Sequence, residues 1–567
     1  MSKQSAHRLD RRTLFKSAAA LAGGTLTATV ETGCSSEKRT EAAGAAIIVA
    51  SDRNAVVETT AGKVRGFTRN GIHTFKGIPY AGTTAGAARS MPPSKPAPWT
   101  GLRSALHYGP VCPQAARTGW ANDESAFFFN WDDGQPGEDC LRINIWTPGV
   151  NDRAKRPVLL WLHGGGYTSG SGQEHPGYHG ENLSKRGDVV VASINHRLNV
   201  FGHLDLSEYG AQYAGSANAG ILDIIAALEW VRDNIGNFGG DPANVLIFGQ
   251  SGGGGKVSTL MAMPAAKGLF HKAIVMSGST LRQADPEDSR KLGAAVLAEL
   301  KLSKGQVQKL QDVPAATLIE ASSVALRKLS PPTPGGMGFG MPRGRRIGWS
   351  PVVDGTNLPA HPFDPAAPAI SAEIPLMIGT TLNELSLSAF DAKLESMTED
   401  EMKKRAEVRY GPKTASVIEA CRKVYPKAKP VEVLSILSSV RLNAVTQAAR
   451  KAAQVAAPAY LYQFCWQTPV LDGRPRATHC ADIAFAFYNT DVSASMTGGT
   501  AEARELGAKV ADAFINFARK GDPNHSGLPV WPIFNPEKAQ TMCFDATCES
   551  KNDHDGVLRR AVAEALA

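Results

Sequence analysis

Residues 244–253 read NVLIFGQSGG, and this stretch decides the fold. Val245, Leu246, Ile247 and Phe248 form an unbroken apolar run, too short for a helix and rich in β-formers, which predicts a strand buried on both faces. Gly249-Gln250-Ser251-Gly252-Gly253 follows at once and matches G-x-S-x-G. In that pattern the serine occupies a sharp strand-to-helix turn, with its hydroxyl exposed at the carboxyl edge of a sheet. Small residues two before and two after the serine let the backbone turn that tightly. The helix that follows directs its N-terminal N–H groups at the same spot and favours negative charge there. The run Gly252 to Lys256 (GGGGK) also looks like a phosphate-binding loop. That pattern needs glycine at 250 and Ser or Thr at 257, where the chain carries Gln250 and Val257, so the phosphate reading fails.

Working outward, the flanks alternate strand and helix. Residues 158–162 read as a buried strand running into His163-Gly164-Gly165-Gly166, and 188–194 (DVVVASI) as a second. Ile221, Ile224, Ile225, Leu228, Val231 and Ile235 recur at helical spacing, with Gly236 as the stop. Residues 273–276 predict a strand that ends at Ser277-Gly278, and 374–378 one that runs into Gly379-Thr380-Thr381-Leu382-Asn383-Glu384. Residues 460–466 read as the last core strand, before a loop carrying His479, and 501–520 as a closing amphipathic helix. Such alternation implies a mostly parallel sheet with right-handed crossovers and helices on both faces. Residues 57–80 alternate around glycines, as antiparallel edge strands do. The Pro/Gly-rich stretch 330–349 is long enough to suspect that it gates a pocket.

Composition bounds the rest. A chain of 567 residues with 43% hydrophobic and 20% charged residues is globular, and needs neither metal nor a dense disulfide framework to hold a core. The net charge is +8, but residues 1–50 hold seven Lys/Arg against four Asp/Glu, which leaves +5 for the remainder. That balance carries no nucleic-acid footprint. Asp10-Arg11-Arg12-Thr13-Leu14-Phe15-Lys16 resembles a twin-arginine export motif, and residues 17–30 are a mild apolar stretch too short to span a bilayer. Gly33-Cys34-Ser35-Ser36 resembles a lipoprotein cleavage site, although Glu31 stands where such sites take an aliphatic residue, so a lipid anchor at Cys34 is one reading. The organisation expected is an export signal over 1–34, a linker over 35–50 and one catalytic domain over 51–567, in a periplasmic or extracellular protein. Export makes disulfides plausible. Cys112 and Cys140 enclose an aromatic, acidic loop, Cys543 and Cys548 are spaced to close a small one, and Cys421, Cys465 and Cys480 read as buried thiols. No C-x-x-C or H-E-x-x-H occurs, so neither a metal nor a cofactor is expected.

A serine hydroxyl needs a base to become a nucleophile, and the base needs a carboxylate to orient it. Histidines 271, 361, 479, 525 and 554 follow Ser251, and His479 alone lies in a loop just past a predicted core strand. Glu384 lies just past another strand end, with Asp354 and Asp482 as rival acids.

From about residue 57 to residue 534 the chain resembles the type-B carboxylesterase/lipase family of cholinesterase-like α/β-hydrolases. The matching blocks are Glu138-Asp139-Cys140-Leu141 through Trp146-Thr147-Pro148, residues 157–166, residues 218–242 with the serine turn, Ser277-Gly278-Ser279, Pro351 through Gly355, and Gly379 through Glu384. The resemblance implies an α/β-hydrolase fold and hydrolysis of small-molecule carboxylic esters through an acyl-enzyme. It places the nucleophile at Ser251, the acid at Glu384, the base at His479, the oxyanion donors at the backbone N–H groups of Gly165, Gly166 and Gly252, and a disulfide at Cys112 and Cys140. It also sets Ser277 close to the triad. Amide or carbamate cleavage on the same triad is the nearer alternative, and a non-catalytic binding protein of this family the more distant one. Four departures stand out: Gln250 for a glutamate, Gly252 for an alanine, Leu385 for a glycine, and Thr478-His479-Cys480 around the base. Phe127, Phe128, Phe129, Trp131, Phe485 and Phe487 are candidates to line an apolar cleft.

Overall fold

The computed structural model describes residues 46–115, 122–331 and 347–567. The leader, Cys34 and most of the 330–349 stretch lie outside them. The main sheet holds, in chain order, β1 (Ile48–Val49), β2 (Phe67–Arg69), β3 (Ile72–Pro79), β4 (Arg142–Thr147), β5 (Arg156–Leu162), β6 (Val190–Ile194), β7 (Gly240–Gln250), β8 (Lys272–Met276), β9 (Leu376–Thr381), β10 (Ala459–Phe464), β11 (Thr541–Phe544) and β12 (Glu549–Lys551). Their spatial order is β1-β2-β3-β4-β6-β5-β7-β8-β9-β10-β11-β12. Pairing is antiparallel from β1 through β6, parallel from β6 across to β11, and antiparallel again at β12. This is the α/β-hydrolase architecture. The glycine-punctuated edge divides: β2 and β3 join the main sheet, while Val56–Thr59 and Gly62–Arg65 form a small separate sheet with Leu102–Ser104.

The VLIF run behaves as its composition demands. Val245 and Ile247 enter one apolar cluster, and Leu246 and Phe248 enter another. Alternate side chains point to opposite faces, so a strand covered on both sides is apolar throughout. On the first face α1 (Ala219–Asn234) contributes Ile221, Ile224 and Leu228. On the second, α3 (Ala501–Lys520) contributes Leu506, Val510, Phe514 and Phe517. The boundaries of α3 match the expected helix, but it does not close the chain. β11, β12 and a terminal helix Gly556–Leu566 follow, so residues 460–466 are not the last core strand. β11 is four residues long and its sequence TMCF carries no periodic signal.

Arg197, just past β6, and Asp223 of α1 form a buried pair that locks the crossover onto the sheet. Arg197 Nη2 and Nε donate to Asp223 at 2.6 and 2.9 Å, and the Arg197 backbone N–H donates to the same carboxylate at 3.0 Å. Both side chains are essentially excluded from solvent. Removing one member leaves an uncompensated buried charge, which costs about 3–5 kcal/mol. Asp223→Ala is therefore expected to lower unfolding free energy by about that amount, measured by denaturant titration; a change below about 1 kcal/mol contradicts this role.

Candidate active site

The carboxyl ends of β7, β8, β9 and β10 lie side by side, and each hands the chain to a functional segment. Past β7, Ser251 takes φ 57° and ψ −123° and its N–H donates to Met276 O at 2.8 Å. A backbone of this kind is strained for a residue with a β-carbon and is characteristic of the nucleophile turn. Gly249 and Gly253 make the turn sterically feasible, because a β-carbon on either would collide with the Leu162 carbonyl oxygen at the end of β5. Helix α2 (Gly252–Leu260) starts directly after Ser251.

Past β8, Ser277 donates its hydroxyl to Glu384 Oε1 at 2.7 Å. Past β9, the chain doubles back so that the Thr381 N–H donates to the same oxygen at 2.9 Å. Past β10, Thr478 bridges Asn383, and the Asn383 N–H donates to Ala477 O at 3.0 Å. That short bridge sets the 384 and 479 loops against each other. His479 Nδ1 stands 2.6 Å from Glu384 Oε2. With an acceptor-only carboxylate at Nδ1, the neutral ring carries its proton there and offers the Nε2 lone pair. Gln250 Nε2 lies 3.1 Å from His479 Nε2, and the Cys480 thiol donates to Gln250 Oε1 at 3.3 Å.

The other candidates fall elsewhere. Among the remaining histidines, His271 Nδ1 accepts from Val245 N, His361 Nδ1 from Gln283 N, and His525 and His554 engage Lys509 O and Gln463 Oε1. Asp354 caps its own loop, accepting from the N–H groups of Thr356, Asn357 and Leu358. Asp482 is buried beside the site, yet its Oδ2 is held by the Tyr462 hydroxyl at 2.7 Å. Glu384 is thus the carboxylate that meets a histidine.

The loop after β5 carries Gly165 and Gly166 at φ 79° and 64°, conformations that residues with a β-carbon rarely adopt. It lies directly on the start of α2, since a β-carbon on Gly252 would collide with the Gly166 carbonyl oxygen. A cleft of about 210 Å³ opens at Ser251, bordered by Gly252, Tyr167, Ser279, Thr280, Val440 and Asn443. Its walls are mostly small residues with Tyr167 among them, and none of the six aromatic residues expected from the sequence borders it. Phe128, Phe129, Phe485 and Phe487 are core residues of the second apolar cluster, Trp131 packs against it, and Phe127 is 58% exposed on the surface.

Of the two cysteine pairs suggested by spacing, Cys112 and Cys140 meet, whereas Cys543 and Cys548 have other partners. Cys112 and Cys140 are both buried thiols, and the Cys140 thiol is pushed well up by its hydrogen bond with Cys112 and by burial. Cys543 meets Cys465 across the β10–β11 pair rather than Cys548, whose thiol donates to Asp545 O at 3.6 Å. No disulfide is formed among the described residues.

Fold and site together define an α/β-hydrolase of the serine-esterase class. Residues 53–557 match the model of the carboxylesterase family. The para-nitrobenzyl esterase of Bacillus subtilis (strain 168) is 34% identical over 89% of this chain and 98% of its own length. The phenmedipham hydrolase of Pseudarthrobacter oxydans is 31% identical over 85% of this chain and 93% of its own. The solved structure of a Clostridium hathewayi esterase that hydrolyses aliphatic aromatic polyesters superimposes with a TM-score of 0.77 at 36% identity, covering 91% of this chain and 99% of that one. The chain belongs to the carboxylesterase family, and it is a carboxylic-ester hydrolase.

Asp482 gives the site a pH-dependent stability. Burial pushes its carboxyl up to about 6, the Tyr462 hydroxyl opposes this, and the Glu384 charge adds to it. The folded state therefore holds this proton more tightly than the unfolded chain. The stabilisation is complete below about pH 4 and is lost as pH rises through about 6. Asp482→Asn keeps an acceptor for Tyr462 and removes the titration. We expect the variant to match wild type at pH 4 and to exceed it at pH 8 by roughly 2–3 kcal/mol in denaturant titrations. Equal differences at both pH values contradict the assignment.

Proposed function

We propose that Ser251 is the nucleophile, His479 the general base and Glu384 the residue that orients the base and stabilises its imidazolium. The observations that carry this are the 2.6 Å contact of His479 Nδ1 with Glu384, the strained turn after β7 that holds Ser251, and the 3.1 Å approach of the neighbouring Gln250 to His479 Nε2. Ser251 Oγ attacks the ester carbonyl and passes its proton to His479. The N–H groups of Gly165, Gly166 and Gly252 hold the oxyanion, each such donor being worth about 3–4 kcal/mol in enzymes of this type. His479 protonates the departing alcohol, and water then releases the acyl group by the same steps in reverse order.

The substrates are small-to-medium esters. A cleft of about 210 Å³ at the nucleophile accommodates a short acyl group and no long lipid chain. Relatives named for para-nitrobenzyl esters and for aliphatic aromatic polyesters support apolar or aromatic partners. Gln250 is neutral, so the position beside Ser251 offers a cationic alcohol no ion pair. A carbamate or amide hydrolase on the same residues is the second reading, favoured by the relative named phenmedipham hydrolase. The protein is exported through the twin-arginine-like leader, residues 1–34, and Cys34 is the candidate lipid anchor; the motif itself is the support. In an oxidising compartment the adjacent Cys112 and Cys140 form a disulfide.

Ser251→Ala is expected to abolish turnover, and Glu384→Gln to cut kcat by roughly 10⁴, as loss of the orienting carboxylate does in triads. Activity of Ser251→Ala within tenfold of wild type refutes the assignment. Across p-nitrophenyl esters, kcat/KM should peak at short-to-medium acyl length, and neutral esters should exceed choline esters; a long-chain maximum contradicts the small cleft. Arg11→Lys with Arg12→Lys is expected to retain precursor in the cytoplasm. Peptide mapping of exported protein without reductant should recover 112 and 140 as one linked pair, whereas two thiols there refute the disulfide.

A further inference from the structure

The glycines that open α2 leave Lys256 as the first residue of that helix with a side chain. They let the helix start press backbone to backbone on the end of β5: a β-carbon on Gly253 would collide with Leu162 O and come within 3.0 Å of His163 O. The Lys256 side chain enters this seam. It is fully buried, and its Nζ donates to His163 O at 2.8 Å. Burying an ammonium is costly unless oxygen atoms replace its hydration, so a lysine here calls for a reason beyond packing.

Its direction follows from the helix. Residues four apart share a face, and helical side chains lean toward the N-terminus, so the ammonium lies on the Gly252 side of its own α-carbon. His163 in turn precedes Gly164-Gly165-Gly166, and the carbonyl that Lys256 holds belongs to the peptide that begins that loop. The His163 ring stacks on His196, with ring centres 4.9 Å apart. Burial pushes His196 well down and His203 down to about 3, and the Lys256 charge acts in the same direction. These two imidazoles are therefore neutral beside the ammonium.

We propose that Lys256 is a positioning residue of the oxyanion hole: its ammonium ties the loop after β5 to α2 and sets a fixed positive charge beside the N–H groups of Gly165, Gly166 and Gly252. This rests on the reading of those groups as the oxyanion donors and of Ser251 as the nucleophile. When Ser251 Oγ adds to the ester carbonyl, negative charge appears on the former carbonyl oxygen, where the bound ester carries little. A fixed cation in a seam without water favours the tetrahedral state over the bound ester, and acts on kcat rather than KM. Lys256 keeps its proton throughout and does not touch the substrate.

The test compares wild type with Lys256→Met, which keeps the apolar stem without charge or donor, and Lys256→Gln, which keeps a donor without charge. Active sites are counted by stoichiometric fluorophosphonate labelling, so unfolded material does not enter kcat. On p-nitrophenyl acetate both variants are expected to lose roughly 10- to 100-fold in kcat, with KM within about twofold of wild type. Affinity for an alkyl trifluoromethyl ketone, to which Ser251 adds to form a tetrahedral oxyanion, should fall by the same factor. A lysine that only supports the fold lowers the number of labelled sites and the unfolding midpoint, and leaves kcat per site and ketone affinity in place. That result overturns the proposal, as does a Lys256→Gln enzyme equal to wild type. Ser251→Ala separates the underlying reading: wild type should bind the ketone far more tightly than this variant, and equal binding removes the nucleophile and the proposal together.

Discussion

One buried carboxylate holds the site together. Glu384 is 4% exposed, and its two oxygens gather the Ser277 hydroxyl from the end of β8, the Thr381 N–H from the end of β9 and His479 from beyond β10. An ionised carboxylate taken out of water costs several kcal/mol unless hydrogen bonds replace its hydration. Those bonds exist only if three neighbouring strands end in register. The parallel pairing of Val275 with Ile378, and of Ile378 with Leu461, provides that register. The apolar interior of the sheet and the polar site at its edge are therefore one construction.

The strands around Ser251 were legible because a run apolar on both faces leaves few alternatives, and the serine turn follows directly from its glycines. The proposed base and acid are harder to read. His479 and Glu384 are 95 residues apart, and what joins them is the bridge between Asn383 and Thr478, a backbone contact with no local sequence signal. Aromatic residues gave the opposite error. Phe485 and Phe487 follow His479 closely in sequence, yet the short helix Ile483–Ala486 carries them into the core, against Phe464 and Phe248. Proximity in sequence to a candidate base says little about which way a short helix turns. β11 escaped notice because a four-residue strand has no period to detect.

The departures from the family pattern are mutually consistent. Gly252 lies against the Gly166 carbonyl, where a β-carbon would collide, so the loop after β5 and the start of α2 meet backbone to backbone. Leu385, in place of a glycine, packs against the third apolar cluster built by Met402, Tyr410, Val417 and the terminal helix residues Leu558 and Val562. This ties the Glu384 loop to the helices that carry those residues. Gln250 and Cys480 replace a charge near the base with a neutral pair that contact each other.

The central claim is that Ser251, and no neighbouring hydroxyl, is the activated nucleophile. Ser277 and Ser279 border the same cleft and serve as internal controls. The most direct measurement is to treat the active protein with a fluorophosphonate and locate the adduct by peptide mass spectrometry. The account predicts one equivalent of adduct, on Ser251, with activity lost in proportion. An adduct on Ser277 or Ser279, or full inactivation with Ser251 unmodified, contradicts it.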